Sequence, residues 1–192
     1  ISDDGAFVTF FSRASDLVSG GSGPAFVDAY VWSRASGSVA LVSDSISAAG
    51  RRGNGETQAP VISGDGAFVA FMSLANDLVN SDNSLMDVFL GEVATGTLVA
   101  ASRRDAGIPW VPWTGNSPSQ LVDSRSRSIS SDGAYVAFYS MATDLVSGGS
   151  GPSTWNVYLW ERGTGTTTLV SESVLAAGQR GNSTSQQPVI SG

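Results

Sequence analysis

ISGDGAFVAF, residues 62–71, is a hairpin written in ten letters. Ile62 and Ser63 end a short apolar run. Asp65-Gly66 is a tight-turn signal, because glycine accepts positive φ and an aspartate side chain can bond the turn's own backbone. Phe, Val, Ala and Phe then alternate at the period of a strand. The same phrase stands at 1–10 as ISDDGAFVTF and at 129–138 as ISSDGAYVAF, and residues 190–192 begin it again. Aligned on the turn aspartates Asp4, Asp65 and Asp132, the periods are 65 − 4 = 61 and 132 − 65 = 67 residues; from Ile129 to Ile190 the period is again 61. A period this long, holding several strand patterns, makes each repeat a whole sheet.

Four strands are read in each repeat. The first is the apolar entry, seen whole at 59–63 and 188–191. The second follows the Asp-Gly turn at 6–12, 67–73 and 134–140, with one face expected bulky and the other thin. The third is DAYVWSR (28–34), DVFLGEV (87–93) and NVYLWER (156–162). A second tight turn, Gly37, Gly96 or Gly165, leads to the fourth at 38–43, 97–102 and 166–171. Helical periodicity is absent, so the unit is a four-stranded antiparallel sheet with two apolar faces. Such sheets bury both faces when packed around an axis.

That geometry is a β-propeller. The pattern Ile-Ser-x-Asp-Gly, then Asp-Leu-Val (16–18, 77–79, 144–146), then Asp-x-Tyr/Phe, Thr-Gly and Leu-Val-Ser resembles the TolB-type, WD-related propeller repeats of bacterial envelope and secreted proteins. The resemblance covers essentially the whole chain. It implies an all-β fold of three four-stranded antiparallel blades of 61–67 residues, forming half of a six-bladed ring. The repeats are 1–61, 62–128 with an enlarged loop at 103–122, and 129–189, with 190–192 opening the next. Three blades do not close a ring, so the rest is expected either from a longer chain of which this is a window or from further copies.

Composition narrows the function. The net charge of −7 disfavours nucleic acid, which is held by clustered cations. All ten basic residues are Arg. There is no Cys and no His, which removes thiol nucleophiles, the usual metal ligands and the usual base of a serine hydrolase. No apolar run is long enough to span a bilayer as a helix. Paired carboxylates could serve a glycosidase, but a residue repeated three times answers a repeated structural need. No catalytic residue, metal site or cofactor is expected.

Strands one and three end in tight turns on one face of the disc. Strands two and four end in long loops on the other, at 14–28, 44–60, 142–156 and 172–188. The second repeat is longest: Asp87 to Ile129 is 42 residues, against 34 from Asp28 to Ile62. Its additions include Trp110 and Trp113, suited to stacking on sugar or anchoring a protein. Arg51, Arg52, Trp155 and Arg180 are the other candidate contacts on this face. Asp-Leu-Val is read as structural, its carboxylate accepting loop N–H groups and its Leu plugging the blade edge. Residues 76–87 are oxygen-rich, but the other repeats offer Gly and Ser there and no bidentate Glu follows as in a calcium loop.

The expectation is a non-catalytic scaffold or recognition module, extracellular or periplasmic at the bacterial envelope, binding a protein or glycan through its long-loop face. The alternative is a self-assembling structural protein whose copies complete one another's blades by strand exchange, as a homo-oligomer or filament. A glycosidase-type propeller is the least supported reading.

Overall fold

The computed structural model describes residues 1–19, 26–80, 82–105, 114–122, 127–148 and 150–191. Among them lie eleven strands and no helix, in three antiparallel sheets. Blade 1 is β1 (Phe7–Ser12), β2 (Asp28–Ser33) and β3 (Val39–Leu41). Blade 2 is β4 (Thr57–Ile62), β5 (Phe68–Ser73), β6 (Asp87–Glu92) and β7 (Leu98–Ala100). Blade 3 is β8 (Ser119–Gln120), β9 (Tyr135–Ser140), β10 (Asn156–Glu161) and β11 (Thr166–Leu169). Each sheet is a meander hydrogen-bonded in chain order, and the first has three described strands where four were expected.

The Asp-Gly phrase closes on itself in all three blades. Asp4, Asp65 and Asp132 each accept from the Ser two residues before (2.7, 2.5 and 2.7 Å) and from the backbone N–H two residues after (2.9 Å each). The same serine oxygen accepts the N–H five residues on, at 3.0 Å in every copy. The glycine has a second duty besides its positive φ. A Cβ on Gly66 (φ 74°) would lie 2.5 Å from the Phe7 ring of the preceding blade, and Gly133 (φ 64°) is pressed in the same way by Phe68.

Both faces of β5 are buried. Phe68, Ala70 and Met72 join Leu90, Val136, Phe138, Leu145 and Trp160 in the core between blades 2 and 3. Val69 and Phe71 join Val31, Val42, Leu78 and Phe89 in the core between blades 1 and 2. The expectation of one bulky and one thin face is thereby corrected: Phe68 and Phe71 point opposite ways, and each core receives aromatics. Directly paired residues on the second and third strands stack in every blade, Phe10 on Tyr30, Phe71 on Phe89 and Phe138 on Tyr158, at 5.6, 5.6 and 5.7 Å between centroids.

Neighbouring blades are also joined by a repeated polar latch. The loop leaving blade 1 carries Gly53-Asn54. Asp77 accepts the Asn54 N–H (2.9 Å) and the Ser45 hydroxyl (2.8 Å), and the Asn54 amide exchanges two bonds with Asn76. Leu78, fully buried, sits where a Cβ on Gly53 would be 2.8 Å from its Cδ2. Gly115-Asn116 of blade 2 meets Thr143, Asp144 and Leu145 of blade 3 in the same way. The Asp-Leu-Val carboxylate and Leu therefore act as the sequence suggested, with one addition: the loop they hold belongs to the preceding blade.

The extra length of the second repeat is divided. Ser43 to Thr57 spans 14 residues and Ser102 to Ser119 spans 17, three more; Thr57 to Ile62 spans 5 and Ser119 to Ile129 spans 10, five more. The second interval is the inner strand itself. In blade 2 the pairing of β4 with β5 skips from Gln58↔Met72 to Val61↔Ala70, a bulge of Ala59 and Pro60. In blade 3 it skips from Gln120↔Tyr139 to the single bridge Ile129↔Val136. The enlarged loop 103–122 thus contains strand β8, and five of the eight extra residues fall between Ser119 and Ile129. Two residues, Ser119 and Gln120, are too short a run for alternation to announce as a strand.

Candidate functional site

The inner strands enter the sheets at the long-loop end. Each is tied there to the residue before the third strand of the preceding blade: Thr57 N donates to Val27 O (2.9 Å), Ser119 N to Met86 O (2.7 Å) and Ser185 N to Trp155 O (2.8 Å). A glutamine follows each tie, at 58, 120 and 186. After it comes a backbone kink in two of the three copies. Ala59 (φ 47°) and Gln187 (φ 58°) are the non-glycine residues at positive φ among the described residues, and both precede a proline. Strain at a sparsely populated φ persists only where its surroundings hold it, and bulges cluster next to binding sites.

Around the Ala59 kink all three blades contribute to one cleft of about 480 Å³, inside the usual range of ligand pockets. Phe11 and Val27 come from blade 1, Gln58, Ala59 and Met72 from blade 2, and Gln120, Leu121 and Tyr139 from blade 3. Phe11 is 56% exposed. The Tyr139 hydroxyl donates to Gln120 Oε1 (2.9 Å), and burial lifts it above its ordinary pKa, so it is a neutral donor. Trp155 meets the Tyr139 ring edge-on at 5.1 Å. The Leu121 N–H points at Met72 Sδ, 3.0 Å away. Glu56, at the rim, pairs with Arg13 at 2.8 Å.

Of the residues singled out in the sequence, Trp155 stands beside this cleft. Arg51 is exposed on its loop. Arg52 and Arg180 are inside the protein, 3% and 5% exposed, rather than on the loop surface. Arg52 Nη1 lies 3.7 Å from Asp28 Oδ2, and Arg180 donates to the carbonyls of Gly151 (3.2 Å) and Thr143 (2.9 Å). Trp110 and Trp113 lie outside the described residues. Sequence reasoning passed over Phe11, Tyr139 and the glutamines. The signal was present in Thr57-Gln58, Ser119-Gln120 and Ser185-Gln186, a polar pair repeated at one position of each inner strand.

A second set of repeated groups lies within the blades. Asp28, Asp87 and Asn156 begin the third strands, and their Oδ1 atoms accept from Ser43 (2.9 Å), Ser102 (2.7 Å) and Ser171 (3.1 Å). Burial pushes Asp28 up to about 6 and Asp87 up to about 8, against the pull of these serines. The two aspartates are fully buried on separate blades. No group of three or more Asp, Glu, His or Cys that could hold a metal occurs among the described residues.

The architecture has counterparts among solved structures. A putative TolB from Agrobacterium tumefaciens is 13% identical over 90% of this chain, with a TM-score of 0.50. The fold is that of a TolB-type β-propeller. TolB from Acinetobacter baumannii is 14% identical over 88% of the chain, with a TM-score of 0.45. The chain spans 45% and 30% of these two structures respectively. No family model and no curated protein matches it.

Proposed function

We propose that the protein is a non-catalytic recognition module that takes an extended peptide segment of a protein partner into the cleft at the long-loop end of its inner strands. The carrying observation is the convergence of three blades on that cleft, with apolar Phe11, Val27, Met72 and Leu121 set beside the amides of Gln58 and Gln120. The inner strands are sheet edges, and edges interrupted by bulges leave main-chain groups for an added strand to meet. The net charge of −7 favours a neutral or basic segment. A bacterial envelope location belongs to the same proposal and rests on the resemblance of the repeats. The test is selection from a displayed library of random dodecapeptides, with a glycan array run in parallel. Enriched peptides should lose at least about tenfold in affinity on Tyr139→Ala, equivalent to about 1.4 kcal/mol. Binding indifferent to Tyr139→Ala and Gln120→Ala, or binding of glycans alone through Trp110 and Trp113, would overturn it.

Self-association is the second reading, and the latch favours it. Gly181-Asn182 repeats the donor half of the latch, with Asn182 exposed, and Asp16-Leu17-Val18 repeats the acceptor half, with Asp16 exposed and Leu17 part-exposed where Leu78 and Leu145 are buried. The two halves are complementary, so the blade 3 edge of one copy fits the blade 1 edge of another, a head-to-tail contact.

A further inference from the structure

The three blades differ at one interior position in a way that points to a bound cation. Beside the third-strand Asp or Asn, blades 1 and 3 bury an arginine, Arg52 across from Asp44 and Arg180 across from Glu172. At the same bridge position blade 2 has Thr114 across from Arg103. Arg103 Nη1 lies near Gly165 of blade 3. The blade 2 interior therefore has a threonine where its neighbours have a guanidinium.

Two carboxylates face that space. Asp87 is fully buried; its Oδ1 accepts from Ser102, while its Oδ2 has no partner. Asp82 stands in a segment two residues shorter than in the other blades (77 to 87, against 16 to 28 and 144 to 156). Its Oδ1 accepts from Thr114 Oγ1 (3.2 Å) and from the Asn83 N–H (2.7 Å), and its Oδ2 is likewise buried and unpartnered. Asp28, the blade 1 counterpart of Asp87, lies 3.7 Å from Arg52, and Thr114 holds the bridge position of Arg52, so Asp82, Thr114 and Asp87 border one space. Blade 1 sets the Asp28 carboxylate 3.7 Å from the Arg52 guanidinium, with Asp44 across the bridge from it. Blade 3 replaces the carboxylate by the neutral Asn156 and puts its guanidinium on carbonyls. Among the described residues, blade 2 has two carboxylates and no guanidinium at that bridge position.

We propose that blade 2 binds a divalent cation of the calcium type between Asp82 and Asp87, with Thr114 Oγ1 as a third oxygen donor, in the place that arginine fills in its neighbours. Every donor is a hard oxygen, the class Ca²⁺ takes, and two carboxylates balance its charge.

The test is titration of the chelator-treated chain with CaCl₂ at pH 8, followed by calorimetry and thermal unfolding. One Ca²⁺ per chain is expected, with a melting temperature that climbs with calcium concentration. Asp82→Asn should weaken binding at least tenfold. Thr114→Arg, which copies blades 1 and 3, should abolish the calcium response and raise the melting temperature of the calcium-free protein. A parent chain that ignores calcium, a response unchanged in Asp82→Asn, or one that survives Thr114→Arg overturns the proposal. The peptide cleft shares none of these residues, so either result leaves that reading to its own experiment.

Discussion

Asp87 shows how one side chain records its blade's surroundings. Unfolded, its carboxyl titrates near 3.8; folded, burial holds it up to about 8. Below about 4 both states carry the proton and the folded state suffers nothing from this group. Between about 4 and 8 the unfolded chain gives up its proton while the folded chain keeps it, so stability falls as pH rises through that window. Asp28, raised to about 6, acts in the same direction over a narrower span. Asn156, bonded to Ser171 at the matching site of blade 3, shows that an amide fits. Asp87→Asn should therefore leave the melting temperature nearly unchanged at pH 4 and raise it by several degrees at pH 8 in chelator, at about 2–4 °C per kcal/mol. A variant less stable than the parent at pH 8 would refute this. The sequence displayed the Asp, Asp, Asn series, but not its burial: only the fold reveals that Arg52 and Arg180 turn inward, because long arginine stems look the same on a loop surface and in a blade.

At the level of the element, the hairpin was fully legible because its chemistry is local. Ser, Asp and Gly bond within five residues of one another, and the same set recurs at 2, 63 and 130. What the hairpin touches was not legible. Gly66 is held by its φ and by the Phe7 ring together, so Gly66→Ala should cost more than the roughly 1–2 kcal/mol of a left-handed residue alone. Gly37, with the same sign of φ and nothing within 4 Å, should show only that smaller loss when changed to Ala. Urea denaturation of the two variants side by side checks the difference, and equal losses would refute the packing role. The inner strands were the hardest element to read. Pro60 and Pro188 interrupt the alternation, and in blade 3 the strand is broken by inserted residues; hydrophobic period carries no signal across such a gap.

For the whole molecule, the period of 61 residues and the alternation within it were enough to reach blades around an axis, because sheets with two apolar faces have few other solutions. The joints between blades were half legible. Asp-Leu-Val stood out by its fixed distance from the turn, whereas its partner Gly-Asn sits in loops whose lengths vary. If the free halves at Asp16 and Asn182 seek each other, sedimentation should show the chain associating as concentration rises. Asn182→Ala should weaken that association by about tenfold, from the loss of two side-chain hydrogen bonds at about 0.5–1.5 kcal/mol each. A single species at every concentration would end the self-association reading.

Because each joint is made by the same few residues at the end of one unit and the start of the next, a unit meets any neighbour on identical terms. A chain of this kind can gain or lose a whole module in one genetic event without inventing a new contact. Only a change inside a module, such as the exchange at Thr114 and Asp82, gives it an individual character.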